Sequence, residues 1–307
     1  MVKNRKPWLP LLLLCSILLA SLSADRVYAS ETEDKSLSYA EKRRLPDEDG
    51  TNMLGLKRAL ERHLADYDGE WSVYVKALGE EKELLLNGQA MVPASLIKVF
   101  VMEATYSNME KVLENQAALL NVAPDSEAAA NKIRTLLENM VTYSDNESYN
   151  ELVRLQTASH QFKEGAKAIN RYLWKEGYEE TLVKHTLAPS PSEPEGIGES
   201  NISSVRDCGL LLERIYRKEC VSKEASEEML SLLLRQDTRT KIPQGLHEGV
   251  QVANKTGEND LCQHDIAIVY GEKTDYVLCV MSQGCKSEDE AVRNIQRISS
   301  LAYHYLN

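Results

Sequence analysis

Leu54, Leu56, Leu60 and Leu64 recur at helical spacing, and the chain then changes period. Trp71 to Ala77 alternates and predicts a strand. Leu84 to Leu86 reads as its hairpin partner across Leu78-Gly79-Glu80. Helical patterning follows over 95–109, 127–141, 146–156, 163–176, 204–217 and 223–235. Strand patterning returns at Val250 to Asn254. Asp265 to Tyr270 and Tyr276 to Met281 form a hairpin around residues 271–274. Ser287 and Glu290 open a last helix as a capping box, and Val292, Ile295, Ile298 and Leu301 continue it. Strands at both ends with helices between them predict an α+β fold. Its antiparallel sheet is shared by the termini, and an all-α subdomain is inserted at about residues 101–235.

The first 50 residues carry a different pattern. Lys3, Arg5 and Lys6 precede an apolar run from Trp8 to Leu22, and Val27-Tyr28-Ala29 supplies a small-residue cleavage site. Residues 1–29 therefore read as a secretory signal peptide, with an uncleaved membrane anchor as the alternative. The run is shorter than the roughly 20 residues that a spanning helix needs. Residues 30–50 are polar and aperiodic and read as a linker. The domain proper is expected over 51–307, and the protein is expected to be secreted or held at the cell surface.

Charge narrows the partners. Lys plus Arg is 36 and Asp plus Glu is 47, for a net charge of -11. Nucleic acid needs a basic footprint and is excluded as a partner. A monomer is expected. After residue 29 five cysteines remain (Cys208, Cys220, Cys262, Cys279 and Cys285), an odd number that leaves at least one unpaired. If the 265–281 hairpin pairs symmetrically about its turn, Cys262 and Cys285 fall nearly opposite, and a disulfide is suspected there. The six histidines are scattered without metal-ligand spacing, and no metal or other cofactor is expected.

Three short motifs carry the chemistry: Ser95-Leu96-Ile97-Lys98, Ser144-Asp145-Asn146 and Lys255-Thr256-Gly257. Ser-x-x-Lys alone is expected about once by chance in such a chain. The ordered set is far rarer. Ser95 and Lys98 stand three residues apart at a helix start, so the amine reaches the hydroxyl. A serine hydroxyl needs such a base to become a nucleophile. Lys98 serves as that base only when neutral, and burial or a second cation such as Lys255 would make it so. The resemblance of this set to the penicillin-recognising serine hydrolases implies that Ser144 would pass a proton to the leaving nitrogen and that Asn146 would orient Lys98 and the substrate amide. Lys255 and Thr256 would bind a substrate carboxylate. Gly257 lets the strand approach the ligand closely. The backbone N–H groups of Ser95 and Glu258 would form an oxyanion hole.

This ordered set resembles the penicillin-recognising serine hydrolases, and over about residues 51–307 the size and layout are similar to class A β-lactamases. His264 to Tyr270 (HDIAIVY) resembles the strand after that family's Lys-Thr-Gly. The resemblance implies a five-stranded antiparallel sheet with helices, split into an α/β and an all-α part. It also implies cofactor-free hydrolysis of the β-lactam amide through a Ser95 acyl-enzyme. Two departures qualify it. Class A enzymes carry Glu-x-x-Leu-Asn on a loop before the third motif. Here Glu193-Pro194-Glu195 is followed by Gly196-Ile197, so Glu193 or Glu195 is only a candidate base, against a solvated acidic loop. Asp265 stands where many members have an arginine, and Lys241 is the candidate compensating cation, against a plain surface lysine. The alternatives are a D-alanyl-D-alanine carboxypeptidase or related cell-wall peptidase, with a peptidoglycan peptide as substrate, and a β-lactam sensor that acylates and stops.

Overall fold

The computed structural model describes residues 52–80, 82–188, 195–260 and 262–307. The leader and linker expectations for residues 1–50 lie outside these, as does Glu193.

Five strands, β1 (Glu70–Ala77), β2 (Glu83–Leu86), β3 (Gln251–Asn259), β4 (Cys262–Tyr270) and β5 (Tyr276–Gln283), make one antiparallel sheet in the order β2-β1-β5-β4-β3. The helices are α1 (Met53–Leu64), α2 (Ile97–Ser107), α3 (Met109–Leu120), α4 (Glu127–Thr142), α5 (Asn146–Arg154), α6 (Phe162–Lys175), α7 (Val205–Arg217), α8 (Lys223–Leu234) and α9 (Glu288–Leu306). The expected architecture, a five-stranded antiparallel sheet with helices, is the one observed.

The sheet is covered on both faces, and its alternation sorts two cores. Val73, Val75, Leu278, Val280, Ala267 and Val269 pack on one face with Leu56 and Leu60 of α1 and with Ile295 and Ile298 of α9. Tyr74, Val277, Cys279, Met281, Ile266 and Ile268 face the other way, against α7 and the helical block. Successive strand residues point to opposite faces, so a strand buried on both is apolar throughout. α2 runs through the middle of the helical block. Every residue from Ile97 to Thr105 is buried, including Lys98 and Glu103, as expected for a helix enclosed on all sides.

Three differences from the sequence reading have physical causes. α3 was not anticipated. Asn108 ends α2, and the buried face of α3 carries Asn115 and Gln116 beside Val112 and Ala117, which blurs its apolar stripe. The polar Asn115 is satisfied there, donating Nδ2 to the Leu155 carbonyl at 2.8 Å. β3 extends to Asn259, so Lys255-Thr256-Gly257 lies inside the strand rather than at its end. The suspected Cys262–Cys285 disulfide is absent, and both thiols are free. The register pairs His264 with Met281, so Cys262 extends toward Gln283 and falls out of step with Cys285.

Candidate active site

Ser95 sits in a single 3-10 turn, Ala94–Leu96, that leads into α2. The residue before it, Ala94, has a left-handed backbone at φ 46°, a conformation that costs a non-glycine residue energy and clusters at functional sites. Lys98 follows within the first turn of α2 and is fully buried. Its Nζ donates to Ser95 Oγ at 2.8 Å and to Asn146 Oδ1 at 2.7 Å. It also lies 2.5 Å from the Ser144 carbonyl and 3.2 Å from Ser144 Oγ.

The second motif reaches this amine from between α4 and α5. Asp145 caps α5, its Oδ2 accepting the Ser148 N–H at 2.7 Å. The cap leaves Asn146 as the first helical residue and Ser144 in the connection, again left-handed at φ 60°. The third motif arrives on β3. Lys255 continues the alternate set of Ala253, on the face that packs against the helical block. Its Nζ donates to Ser144 Oγ at 2.9 Å and to the Thr256 carbonyl at 2.8 Å. Ser144 Oγ therefore stands between two lysines, one beside the nucleophile and one on the strand.

Burial sets the electrostatics. It pushes the Lys98 amine down to about 7, with Asp145 acting in the opposite sense. Lys255 is held well below the ordinary lysine range by burial and by the neighbouring Lys98. A lysine near 7 is a usable base at neutral pH.

Gly257 positions the strand against the nucleophile. A Cβ there would meet the Pro93 carbonyl at 2.7 Å, Leu96 Cγ at 3.0 Å and the Leu96 nitrogen at 3.1 Å. This close approach brings the main chain of Glu258 beside the turn that carries Ser95. Gly257→Ala is expected to force the two apart, costing about 1–3 kcal/mol of stability. Thermal unfolding and covalent labelling of that variant should both decline, whereas a wild-type Tm with full labelling would contradict the close-packing argument.

The cleft in front of Ser95 has a volume of about 320 Å³, and Asn146, Leu187, Glu199 and Glu258 are among its walls. Of the two candidate bases, the described one, Glu195, is not among the residues that line the cleft. Glu193 lies outside the described residues, and Glu195 lies 3.8 Å from Arg154 Nε, while its carbonyl accepts from Thr186. Among the described residues of the loop, Leu187 is one that lines the cleft. Asn150 holds it from both sides, accepting its N–H at 2.9 Å and donating to its carbonyl at 3.1 Å. Glu199, which no sequence motif marks, also lines the cleft.

Lys241 is not a surface lysine. It is 1% exposed, and its Nζ lies 2.6 Å from Glu258 Oε2. Asp265 explains how it gets there. This aspartate is fully buried; its Oδ2 accepts the Ile242 N–H at 2.9 Å and its Oδ1 accepts from Asn254 at 3.0 Å. Asp265 thus anchors the segment that carries Lys241. His264 pins the other flank, bonding through Nε2 to the Val92 carbonyl at 2.9 Å, three residues before Ser95. Burial pushes its imidazole down to about 4, so it stays neutral and this tie persists across the physiological range.

Among the described residues, no three His, Cys, Asp or Glu side chains converge to hold a metal ion. The structure thus brings Ser95, Lys98, Ser144, Asn146 and Lys255 into one hydrogen-bonded cluster, with Thr256, Gly257 and Glu258 on the adjoining strand. It sets Lys241 behind Glu258.

No curated protein matches the sequence. Among solved structures, the TLA-1 extended-spectrum β-lactamase superposes with a TM-score of 0.66 at 18% identity, covering 81% of this chain and 97% of that one. PBP-A superposes with a TM-score of 0.66 at 22% identity, covering 81% and 94%. A β-lactamase from Chitinophaga pinensis gives 0.67 at 19%, covering 81% and 98%. At these identities the likeness is one of fold. The sequence model of the beta-lactamase enzyme family (Beta-lactamase2) matches residues 55–306. By that match, over nearly the whole described chain, the protein belongs to the beta-lactamase enzyme family.

Proposed function

We propose that the protein is a serine hydrolase acylated at Ser95 by a β-lactam or by a peptide ending in D-alanyl-D-alanine, and that its β-lactam acyl-enzyme is long-lived. The observation that carries the first half is the Lys98 amine, buried and 2.8 Å from the Ser95 hydroxyl. Neutral Lys98 takes the proton of Ser95 Oγ as that oxygen attacks the substrate amide carbonyl. The backbone N–H groups of Ser95 and Glu258 stabilise the oxyanion of the tetrahedral intermediate. Ser144, in contact with both lysines, delivers a proton to the leaving nitrogen. The C–N bond breaks and an ester to Ser95 remains.

Leu187 supports the second half. Hydrolysing that ester needs a base to activate water, and Leu187, which lines the cleft with Ser95, offers none. This favours the peptidase or sensor reading over rapid β-lactam turnover. Glu199 is the carboxylate through which the faster reading would operate. Export, with residues 1–29 as its signal, belongs to the same proposal and fits an extracytoplasmic cell-wall substrate.

Incubation with a fluorescent penicillin and a chromogenic cephalosporin tests the reading. Lasting label with little colour is expected. Colour without lasting label would show an efficient β-lactamase instead, and neither signal would remove the mechanism.

The acylation rate should also follow the ionisation of Lys98. Its amine is protonated below about pH 7 and cannot accept the serine proton there, so the rate should rise through about pH 7 and level off above about pH 8. A second-order acylation rate that is flat from about pH 5 to about pH 9 would contradict the assignment of Lys98 as base.

A further inference from the structure

The Lys241–Glu258 pair lies at the end of the cleft where a substrate carboxylate would bind. All three ammonium protons of Lys241 have acceptors: Glu258 Oε2 at 2.6 Å, the His264 carbonyl at 3.2 Å and the Gly257 carbonyl at 3.4 Å. Lys241 cannot turn away. Its side chain is 2% exposed, and its segment is tied to buried Asp265 through Ile242. Glu258 is different. Its side chain is 51% exposed and forms part of the wall of the cleft that contains Ser95. Both groups act electrostatically on Lys255, which places them in the neighbourhood of the strand lysine.

A substrate carboxylate approaching Lys255 and Thr256 therefore meets two obstacles. The nearby cation has its donors occupied, and the group occupying it is itself a carboxylate. Like charges brought together in a cleft repel, and a desolvated ammonium is worth most to an anion that bonds it directly. The half-exposed partner is free to swing into water, and the buried one is not.

We propose that Glu258 is a displaceable counter-ion that masks Lys241 and sets specificity at this site. Resting on the serine-hydrolase reading above, the inference concerns which substrates that site prefers. A carboxylate-bearing substrate binds by exchange, expelling the Glu258 side chain and taking its place on Lys241. A substrate whose carboxylate is esterified has no anion to exchange and leaves the pair closed. The chain thereby discriminates less sharply in favour of carboxylate ligands than a site with an open cation would. The main chain of Glu258 keeps its separate role as oxyanion donor and is untouched by side-chain exchange.

The experiment compares a penicillin with its methyl ester, following second-order acylation of the full-length protein by intact mass. Glu258→Gln keeps the shape of the side chain and removes its charge. It is expected to raise the ratio of acid to ester rates about tenfold. Glu258→Ser is expected to do the same and guards against an idiosyncratic effect of glutamine. Adding Lys241→Met to Glu258→Gln should remove the gain, because the gain comes from the freed ammonium. An unchanged or lower ratio in both single variants would overturn the exchange, as would a gain that survives Lys241→Met. A wild-type protein that takes no label from either compound would instead overturn the acylation reading, and this inference with it.

Discussion

Lys98→Ala is expected to slow acylation of Ser95 by about 10³-fold. The amine is the group in direct contact with the hydroxyl, and burial brings it down to about 7, where it is free to accept a proton. Its loss removes the base and leaves the Ser144 carbonyl and Asn146 Oδ1 without the donor they share. A merely structural lysine would reveal itself differently. Its removal would lower Tm and label together, and the residual rate would keep its rise around pH 7. Removal of the base predicts a residual rate without that rise. Labelling within about threefold of wild type, from a folded variant, would exclude Lys98 as the activating base.

Leu187→Glu is the second large effect, and its sign is a gain. Leu187 lines the cleft with Ser95, and its main chain is held on both sides by the Asn150 amide. Replacing the side chain leaves those two hydrogen bonds intact. A carboxylate at this position would face the acyl ester and activate water, and general-base assistance is worth about 10²-fold in deacylation. The variant should therefore lose its penicillin label about 10²-fold faster than wild type and release a chromogenic product as it does so. Unchanged label lifetime in a folded variant would mean that another feature limits deacylation. Glu199→Gln is the informative companion. If Glu199 already serves as the base, its removal should lengthen the lifetime of the label on the otherwise unaltered protein.

The centre of the site was legible in the sequence because its chemistry is written in short contiguous motifs. Ser95 and Lys98 are three residues apart at a helix start. Asp145 is a helix cap whose geometry places Ser144 and Asn146. The convergence of these motifs with Lys255 followed from the family resemblance and not from periodicity. The parts that stayed hidden depend on contacts between distant segments. Nothing local marks Asp265 as the acceptor for Ile242, or Glu258 as the partner of Lys241, seventeen positions away. Glu193 and Glu195 are the candidate bases because they fall where the resembled family carries its Glu-x-x-Leu-Asn loop. The tie between Asn150 and Leu187, which holds the main chain of this loop beside the cleft, spans 37 positions. The extent of β3 was missed for a related reason. Its second half carries Lys255, Thr256 and Glu258, which serve the site and break the apolar alternation by which strands are read. The disulfide expectation failed on the register of the β4–β5 hairpin, a quantity set by its turn and not by the spacing of the cysteines.

The proposed mechanism requires Ser95 Oγ to be the atom that becomes acylated. The direct measurement is peptide mapping by mass spectrometry after brief exposure to a penicillin. One adduct with the full mass of the drug is predicted on the peptide containing Ser95, and none on the Ser95→Ala variant. An adduct on any other residue, or one that persists in Ser95→Ala, would contradict it.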